Sequence, residues 1–198
     1  MRRIIVGMSG ASGVIYGIRL LEVLRDMKQE THLVMSEAAK RNILIETDYL
    51  VEEVEGIASH VHDTRDLAAP ISSGSFRTDG MAITPCAIKT LSGVAHSYND
   101  NLLIRAADVT LKEKRKLVLV VRETPLHKGH LELMHRVSDL GGIILPPIPA
   151  FYIHPKTIDD IVNHTIGKIL DIMCIDHNLY RRWKGPNKTK ERPRPSEE

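Results

Sequence analysis

The chain has 198 residues, of which 42% are apolar and only 4% are aromatic. This length predicts one globular domain that can bury a hydrophobic core. The formal net charge is +2, but residues 1–183 are neutral once the five basic and three acidic side chains of residues 184–198 are subtracted. This balance excludes a broad basic face, and the scarcity of aromatic side chains removes stacking platforms, so we expect no binding to nucleic acid.

Cysteine usage and the amino-terminal segment indicate the compartment. The two cysteines, Cys86 and Cys174, exclude a disulfide framework and suit a reducing environment. The apolar run after Arg2 and Arg3 is too short for a signal peptide, and no window is long enough for a transmembrane helix. We therefore expect a cytoplasmic protein that binds no membrane. The ten histidines lack the spacing of a zinc motif, so no metal site is expected.

Short apolar runs alternate with helical patterns along the chain. The pattern predicts strands at 3–6, 32–35, 81–84, 117–121 and 143–145. It predicts helices at 14–27, 37–45 with Ser36 as N-cap, 50–58, 87–93, 101–111, 132–140 and 157–180. Residues 59–80 are predicted as a long loop, and Pro85 is expected to end its strand. Residues 1–183 form the predicted domain, followed by a disordered tail at 184–198.

This alternation predicts an α/β fold with a parallel sheet that is covered on both faces. Ligands of such sheets bind beyond the carboxyl ends of the strands, so the loops after the strands are the candidate sites. The first, residues 7–13, reads GMSGASG and opens a helix. Small residues and a helix N-terminus suit an anion, with Ser9 and Ser12 as hydroxyl donors. A tight turn without a ligand is the alternative, because the loop lacks the dinucleotide and P-loop spacings.

Two further loops after strands carry side chains that could bind a ligand or act in catalysis. Residues 85–90 read PCAIKT and form either a second polar cradle or an ordinary helix start, with Cys86 as a buried, inert thiol. Arg122 and Glu123 follow a strongly apolar strand. The carboxylate there is a candidate general acid or base beside an anion site, and a surface ion pair is the alternative. Tyr152 and Lys168 are unremarkable by themselves.

Taken together, these segments resemble the UbiX-like flavin prenyltransferase family. The matching strings run in family order from residue 3 to about residue 183. They are GMSGASG at 7–13 followed by Tyr16 and Gly17, SEAA at 36–39, ETD at 46–48, SSGS at 72–75, PC at 85–86, KT at 89–90 and RETPL at 122–126. The chain is most similar to the branch of this family that accompanies hydroxyarylic (phenolic) acid decarboxylases.

The resemblance implies a fold, an activity and partners. The fold would be a three-layer, Rossmann-like or flavodoxin-like flavoprotein with a mainly parallel sheet. The activity would join a dimethylallyl group from dimethylallyl monophosphate to N5 and C6 of reduced FMN, without a metal. The product, prenylated FMN, would serve a separate UbiD-type aromatic acid decarboxylase. A homo-oligomer is expected, as large as the dodecamers of relatives, with sites at subunit interfaces.

The resemblance also assigns residues to roles. The FMN contacts would be Gly10, Ala11, Ser12, Ser36, Ala87, Ile88, Lys89, Thr90 and Arg122. The donor site would be formed by residues from more than one subunit. Its phosphate would be surrounded by Lys112, Arg122, Tyr152 and Lys168, and Trp183 would cover the site. Catalysis would rest on Glu123 as acid and base, on Ser12 near flavin N5, and on Glu46 for proton handling.

Three departures from the family pattern stand in the sequence. Ala87 replaces a common Ser, Phe76 replaces a common Trp of the aromatic lining, and Lys168 replaces the Arg of some relatives. Two other functions stay open: a non-catalytic FMN-binding accessory protein of a decarboxylase, and a flavin-dependent cysteine decarboxylase. The latter family shows a Pro-x-Met-Asn string where residues 85–88 read PCAI, which argues against it. The retention of Glu123 with Lys112, Tyr152 and Lys168 favours catalysis over mere binding.

Overall fold

A six-stranded parallel sheet forms the centre of the fold in the computed structural model, which describes residues 1–185. The strands are β1 (Arg3–Met8), β2 (Glu30–Met35), β3 (His60–His62), β4 (Gly80–Cys86), β5 (Lys116–Val121) and β6 (Ile143–Ile144). Their spatial order is β3-β2-β1-β4-β5-β6, and every neighbouring pair is parallel. This is the strand order of doubly wound nucleotide-binding folds. The predicted α/β class is confirmed.

Helices cover both faces of the sheet. Within residues 1–185 they are α1 (Val14–Asp26), α2 (Glu37–Glu46), α3 (Val51–Glu55), α4 (Ile88–Ala95), α5 (Leu102–Lys112), α6 (Lys128–Asp139) and α7 (Ile158–Ile172). One buried cluster joins α1, α2 and α7 to the sheet, and a second joins α4 and α5 to the opposite face. The three predicted layers are therefore present. None of the helices described is long and apolar enough to cross a bilayer.

Several local signals act as predicted. The Ser36 hydroxyl caps α2 by accepting the Ala39 N–H at 3.1 Å. Helix α6 stops before Gly141, whose φ of +95° suits a residue without a side chain. The same helix begins earlier than predicted, at Lys128, because the His127 ring caps it by accepting the Gly129 N–H.

Two predictions about strands are wrong. The segment predicted as a loop contains β3, which pairs with β2 through three residues, too few and too polar to give an apolar pattern. Pro85 does not end β4, since the strand continues to Cys86. The β4–β5 register shifts between Ile83 and Cys86, and such an irregularity tolerates a residue that lacks an N–H donor.

The last helix is shorter than predicted. Helix α7 ends at Ile172 instead of continuing to residue 180, and Cys174 takes a left-handed φ of 55°. The chain then folds back along α7, where the Tyr180 ring lies so close to Gly167 that an added Cβ would come within 2.5 Å of it. The predicted domain end at 183 stays a prediction, and the predicted tail lies outside the described residues beyond residue 185.

Candidate active site

The candidate site lies where the chain leaves the two central strands for opposite faces of the sheet. The loop after β1 leads to α1 on one face, whereas β4 leads to α4 on the other. In doubly wound sheets, ligands bind in the crevice at such a switch point. Ser9 joins its two sides, because its hydroxyl donates to the Pro85 carbonyl at 3.0 Å and accepts the Ala87 N–H at 2.7 Å. Since Ser9 is fully buried and its hydroxyl is engaged, its predicted contact with an anion is wrong.

Helix α2 supports the first loop from the side. A Cβ on Gly10 would come within 2.5 Å of the Ala38 Cβ, so only glycine allows this close approach. The Ser36 N–H donates to the Met8 carbonyl at 3.0 Å, and Asn42 Nδ2 donates to the Ala11 carbonyl at 3.1 Å. Ser12 is exposed at the end of this loop.

The amino terminus of α1 is already partnered. Glu46 Oε2 accepts the N–H groups of Gly13 at 2.7 Å and Val14 at 3.2 Å. The chain's own carboxylate thus takes two donors that the sequence offered to a bound anion, and it complements the positive end of the helix dipole. Glu46 caps α1 in this structure, and its expected part in proton handling stays a prediction.

The amino terminus of α4 is open by contrast. Its N-cap is Ala87, whose methyl group cannot accept the first N–H groups of the helix. Ala87 is half-buried and Lys89 is exposed beside it, whereas Thr90 is buried. An anionic or carbonyl-bearing ligand in the crevice therefore finds N–H donors that have no partner among residues 1–185. Cys86 behaves as predicted, because complete burial raises the pKa of its thiol far above the usual range.

Arg122 and Glu123 lie at the same edge of the sheet. The Arg122 N–H donates to the Cys86 carbonyl at 3.1 Å, which places this segment beside the loop after β4. Both side chains are exposed, and Glu123 Oε1 accepts only the neighbouring Thr124 N–H among the bonds of the described residues, at 3.0 Å. A guanidinium and a carboxylate thus border the crevice, available to a ligand.

Tyr152, Lys168 and Trp183 form a second group, on and beside α7. Tyr152 Oη lies 3.1 Å from His164 Nε2, and the Trp183 ring stands edge-on to the Tyr152 ring at 5.9 Å. Lys168 follows one helical turn after His164, and its Nζ lies 4.0 Å from Asp171. Burial, with the Lys168 charge as a second cause, lowers the pKa of His164 and favours the neutral ring. Sequence reasoning missed His164, because a single helical histidine carries no local signal.

Lys112 lies near the amino-terminal end of strand β5, whereas Arg122 lies at its carboxyl-terminal end. It ends α5 just before β5, whereas Arg122 directly follows β5. The six residues of β5 separate the two ends of the strand by about 17 Å. Lys112 Nζ bonds Glu113 beside Gly74, and the nearby Phe76 ring packs under the Arg3 guanidinium at 4.5 Å. Within one chain, neither Lys112 nor Phe76 therefore joins the crevice.

The comparison with protein families identifies the chain's relatives. The family model described as Flavoprotein matches residues 1–170. The flavin prenyltransferase UbiX of Escherichia coli strain K12 is 58% identical over 188 residues, which cover 93% of this chain and 100% of that protein.

Two solved structures share the fold closely. AnUbiX (PadA1), crystallised in complex with FMN and dimethylallyl pyrophosphate, superposes with a TM-score of 0.92 at 48% identity, covering 94% of this chain and 99% of that one. A dodecameric FMN-dependent UbiX-like decarboxylase from Escherichia coli O157:H7 has a TM-score of 0.90 at 53% identity, covering 92% of this chain and 100% of that one. The chain belongs to the flavoprotein family, among its UbiX-type flavin prenyltransferases.

Proposed function

We propose that this protein transfers a dimethylallyl group from dimethylallyl monophosphate to N5 and C6 of reduced FMN. The first carbon of the donor bonds flavin N5 as its bond to the phosphate oxygen breaks, and the N5 proton leaves with the phosphate. The double bond of the donor then takes up a proton, and its third carbon bonds flavin C6, which gives up its hydrogen as a proton. The observation that supports this proposal most strongly is the crevice between β1 and β4. There the open amino terminus of α4 lies beside Arg122 and Glu123. The similar AnUbiX, which holds FMN and a dimethylallyl ester, supports this assignment.

The residues around the crevice fit FMN. The close packing of Gly10 on Ala38 fixes the course of residues 10–12 at the crevice, and Ser12 there is exposed and available to a ligand. The N–H groups of residues 88–90 and the Arg122 side chain supply donors and positive charge for flavin oxygens or phosphate. Reduced FMN supplies the nucleophilic nitrogen and carbon, while these protein groups bind and orient it.

The departing phosphate requires positive charge at the place where negative charge develops. We assign this task to Arg122, Lys168 and Lys112, with the Tyr152 hydroxyl as a further donor. The positions of Lys112 and Arg122 at opposite ends of strand β5 support a cluster that draws on more than one chain. A homo-oligomer supplies such sites, and the similar E. coli O157:H7 protein is dodecameric.

Glu123 is our candidate acid and base. Its exposed carboxylate lies next to Arg122 at the rim of the crevice, so it can move a proton between the flavin and the leaving phosphate. Trp183, packed edge-on against Tyr152, covers the donor group and keeps water from the reactive allyl unit. We further propose that the product serves a separate UbiD-type decarboxylase, and that the protein works in the cytoplasm.

Phosphate release tests this function directly. Under anaerobic conditions, inorganic phosphate should form from dimethylallyl monophosphate only when both the protein and reduced FMN are present. Glu123→Gln should bind FMN normally but lower turnover by about 10²–10⁴-fold. Glu52→Gln is the matched control, since Glu52 is an exposed carboxylate on α3. Tight FMN binding without any phosphate release would indicate a non-catalytic accessory protein instead, and a fully active Glu123→Gln variant would exclude the acid–base role.

A further inference from the structure

A cluster of three histidines and one glutamate lies on β2 and β3, at the other end of the strand order from β5 and the Arg122–Glu123 segment. Glu30 and His32 belong to β2, while His60 and His62 belong to the edge strand β3. The parallel register pairs His32 with His60 and Val34 with His62, which brings the three rings to one place. The prenyl-transfer function gives this cluster no role.

The distances within the cluster suit a metal ion. Glu30 Oε1 lies 3.0 Å from His32 Nε2 and 3.7 Å from His60 Nε2, and all three ligand atoms lie within 4.8 Å of one another. Two ligands of a tetrahedral zinc ion, each about 2.0–2.1 Å from the metal, are about 3.3–3.4 Å apart. The distances from Glu30 Oε1 to the two histidines, 3.0 and 3.7 Å, bracket that value. The His32 and His60 rings stack with their centroids 4.6 Å apart, so the exposed His60 ring must turn for both Nε2 atoms to face one ion.

The groups around these ligands hold them in place. Arg3 Nε donates to Glu30 Oε1 at 2.8 Å, and His62 Nε2 lies 2.9 Å from His32 Nδ1. Histidine ligands of metals regularly use their second ring nitrogen in such a bond, which fixes the orientation of the ring. The positive charge of Arg3 moderates the affinity for a cation, while it fixes the carboxylate.

Burial and exposure also suit a binding site. The His32 side chain is 4% exposed and the His60 side chain 55% exposed, so one ligand is anchored in the protein and another opens toward solvent. An ion can enter from the His60 side.

We propose that Glu30, His32 and His60 form a binding site for zinc or a similar divalent transition-metal ion, with water as the fourth ligand of the ion. Mixed nitrogen and oxygen ligands favour such an ion over calcium or magnesium. Without the ion, His32 Nε2 carries the hydrogen that faces Glu30, because a carboxylate only accepts. On binding, that hydrogen moves to Nδ1, His62 Nε2 becomes the acceptor, and His62 carries its own hydrogen on Nδ1. Both rings stay neutral, and the ion joins the edge strand β3 to β2.

Zinc titration of the chelator-treated, full-length protein tests the proposal. Calorimetry should show one zinc ion per chain, and cobalt should give the visible absorption of a low-coordinate site. The ion should also raise the midpoint of thermal unfolding, since it binds the folded state. His60→Gln, at an exposed position on the edge strand, should lower the zinc affinity at least tenfold. His62→Ala should lower it by about 10–100-fold through loss of the orienting bond.

His135→Gln is the matched control. His135 pairs with Asp139 at 3.0 Å on the exposed face of α6 but lacks a third ligand among the described residues, so its replacement should leave the affinity unchanged. Zinc affinities of His60→Gln and His62→Ala equal to that of the unaltered protein would overturn the proposal. Failure of the unaltered protein to take up zinc or cobalt would overturn it as well.

Discussion

The Ser9 hydroxyl accepts the main-chain N–H of Ala87 at 2.7 Å, across 78 residues of sequence. The same oxygen donates to the Pro85 carbonyl, so this one buried group fixes the loop after β1 against the loop after β4. These loops form the two sides of the proposed flavin crevice. Ser9 thus acts on the site without touching a ligand.

Replacement of Ser9 by alanine should therefore affect both stability and flavin binding. The change leaves the Ala87 N–H without its partner, which costs about 1–3 kcal/mol of the free energy of unfolding. Urea denaturation measures that loss, and fluorescence titration measures the weaker FMN affinity that we expect from misplaced loops. Ser138→Ala, at an exposed position on α6, is the control. An unchanged urea midpoint together with an unchanged FMN affinity would show that Ser9 does not tie the loops.

Lys112 and Arg122 should complement each other between chains. Lys112→Ala and Arg122→Ala are each expected to be inactive, because each removes a positive charge from the donor site. When the two variants are unfolded together and refolded as mixed oligomers, sites that combine the intact Lys112 of one chain with the intact Arg122 of another should regain turnover. Each variant refolded alone serves as the control. Mixed oligomers with no more activity than the separate variants would place both residues in one chain's site or in none.

The two cysteines should differ in reactivity. Cys86 is fully buried, and burial raises the pKa of its thiol, whereas Cys174 is exposed. A thiol-specific reagent should therefore modify one cysteine per native chain and two after denaturation. Peptide mass mapping should place the native modification on Cys174. Rapid labelling of Cys86 in the folded protein would contradict the burial of β4.

The buried His164 should make stability depend on pH. Burial lowers its pKa in the folded state below the unfolded value of about 6.5. As the pH falls through that value, the unfolded chain takes up the proton first, so the free energy of unfolding decreases; above it, both states are neutral and the group has no effect. Urea midpoints between about pH 7.5 and 5.5 should fall less in His164→Gln than in the unaltered protein. Identical pH slopes would show that His164 titrates alike in both states.

The strongest sequence patterns predicted the fold and the group of loops beyond the carboxyl ends of the strands that borders the site. The apolar run of β5 identified a buried strand, and the rule for parallel sheets then placed Ser36, Ala87 and Arg122 together beyond the strand ends. That prediction succeeded because strand direction alone decides which loops share an edge. It needed no knowledge of side-chain packing.

Other features could not be predicted, because they depend on tertiary contacts. The hydrogen bond from the Gly13 N–H to Glu46 Oε2 spans 33 residues, and no local sequence pattern predicts it. Strand β3 has only three residues and gains its register from β2. The pairing of His164 with Tyr152 depends on how the chain after β6 folds back onto α7. In each case the deciding partner is distant in sequence.

The mass of the flavin tests the central claim most directly. The protein is incubated anaerobically with reduced FMN and dimethylallyl monophosphate, and the flavin is then extracted for mass spectrometry. We predict a flavin that is heavier by one dimethylallyl unit, formed by the unaltered protein and formed far more slowly by Glu123→Gln. A flavin of unchanged mass after complete reduction, with the donor intact, would contradict the proposed prenyl transfer.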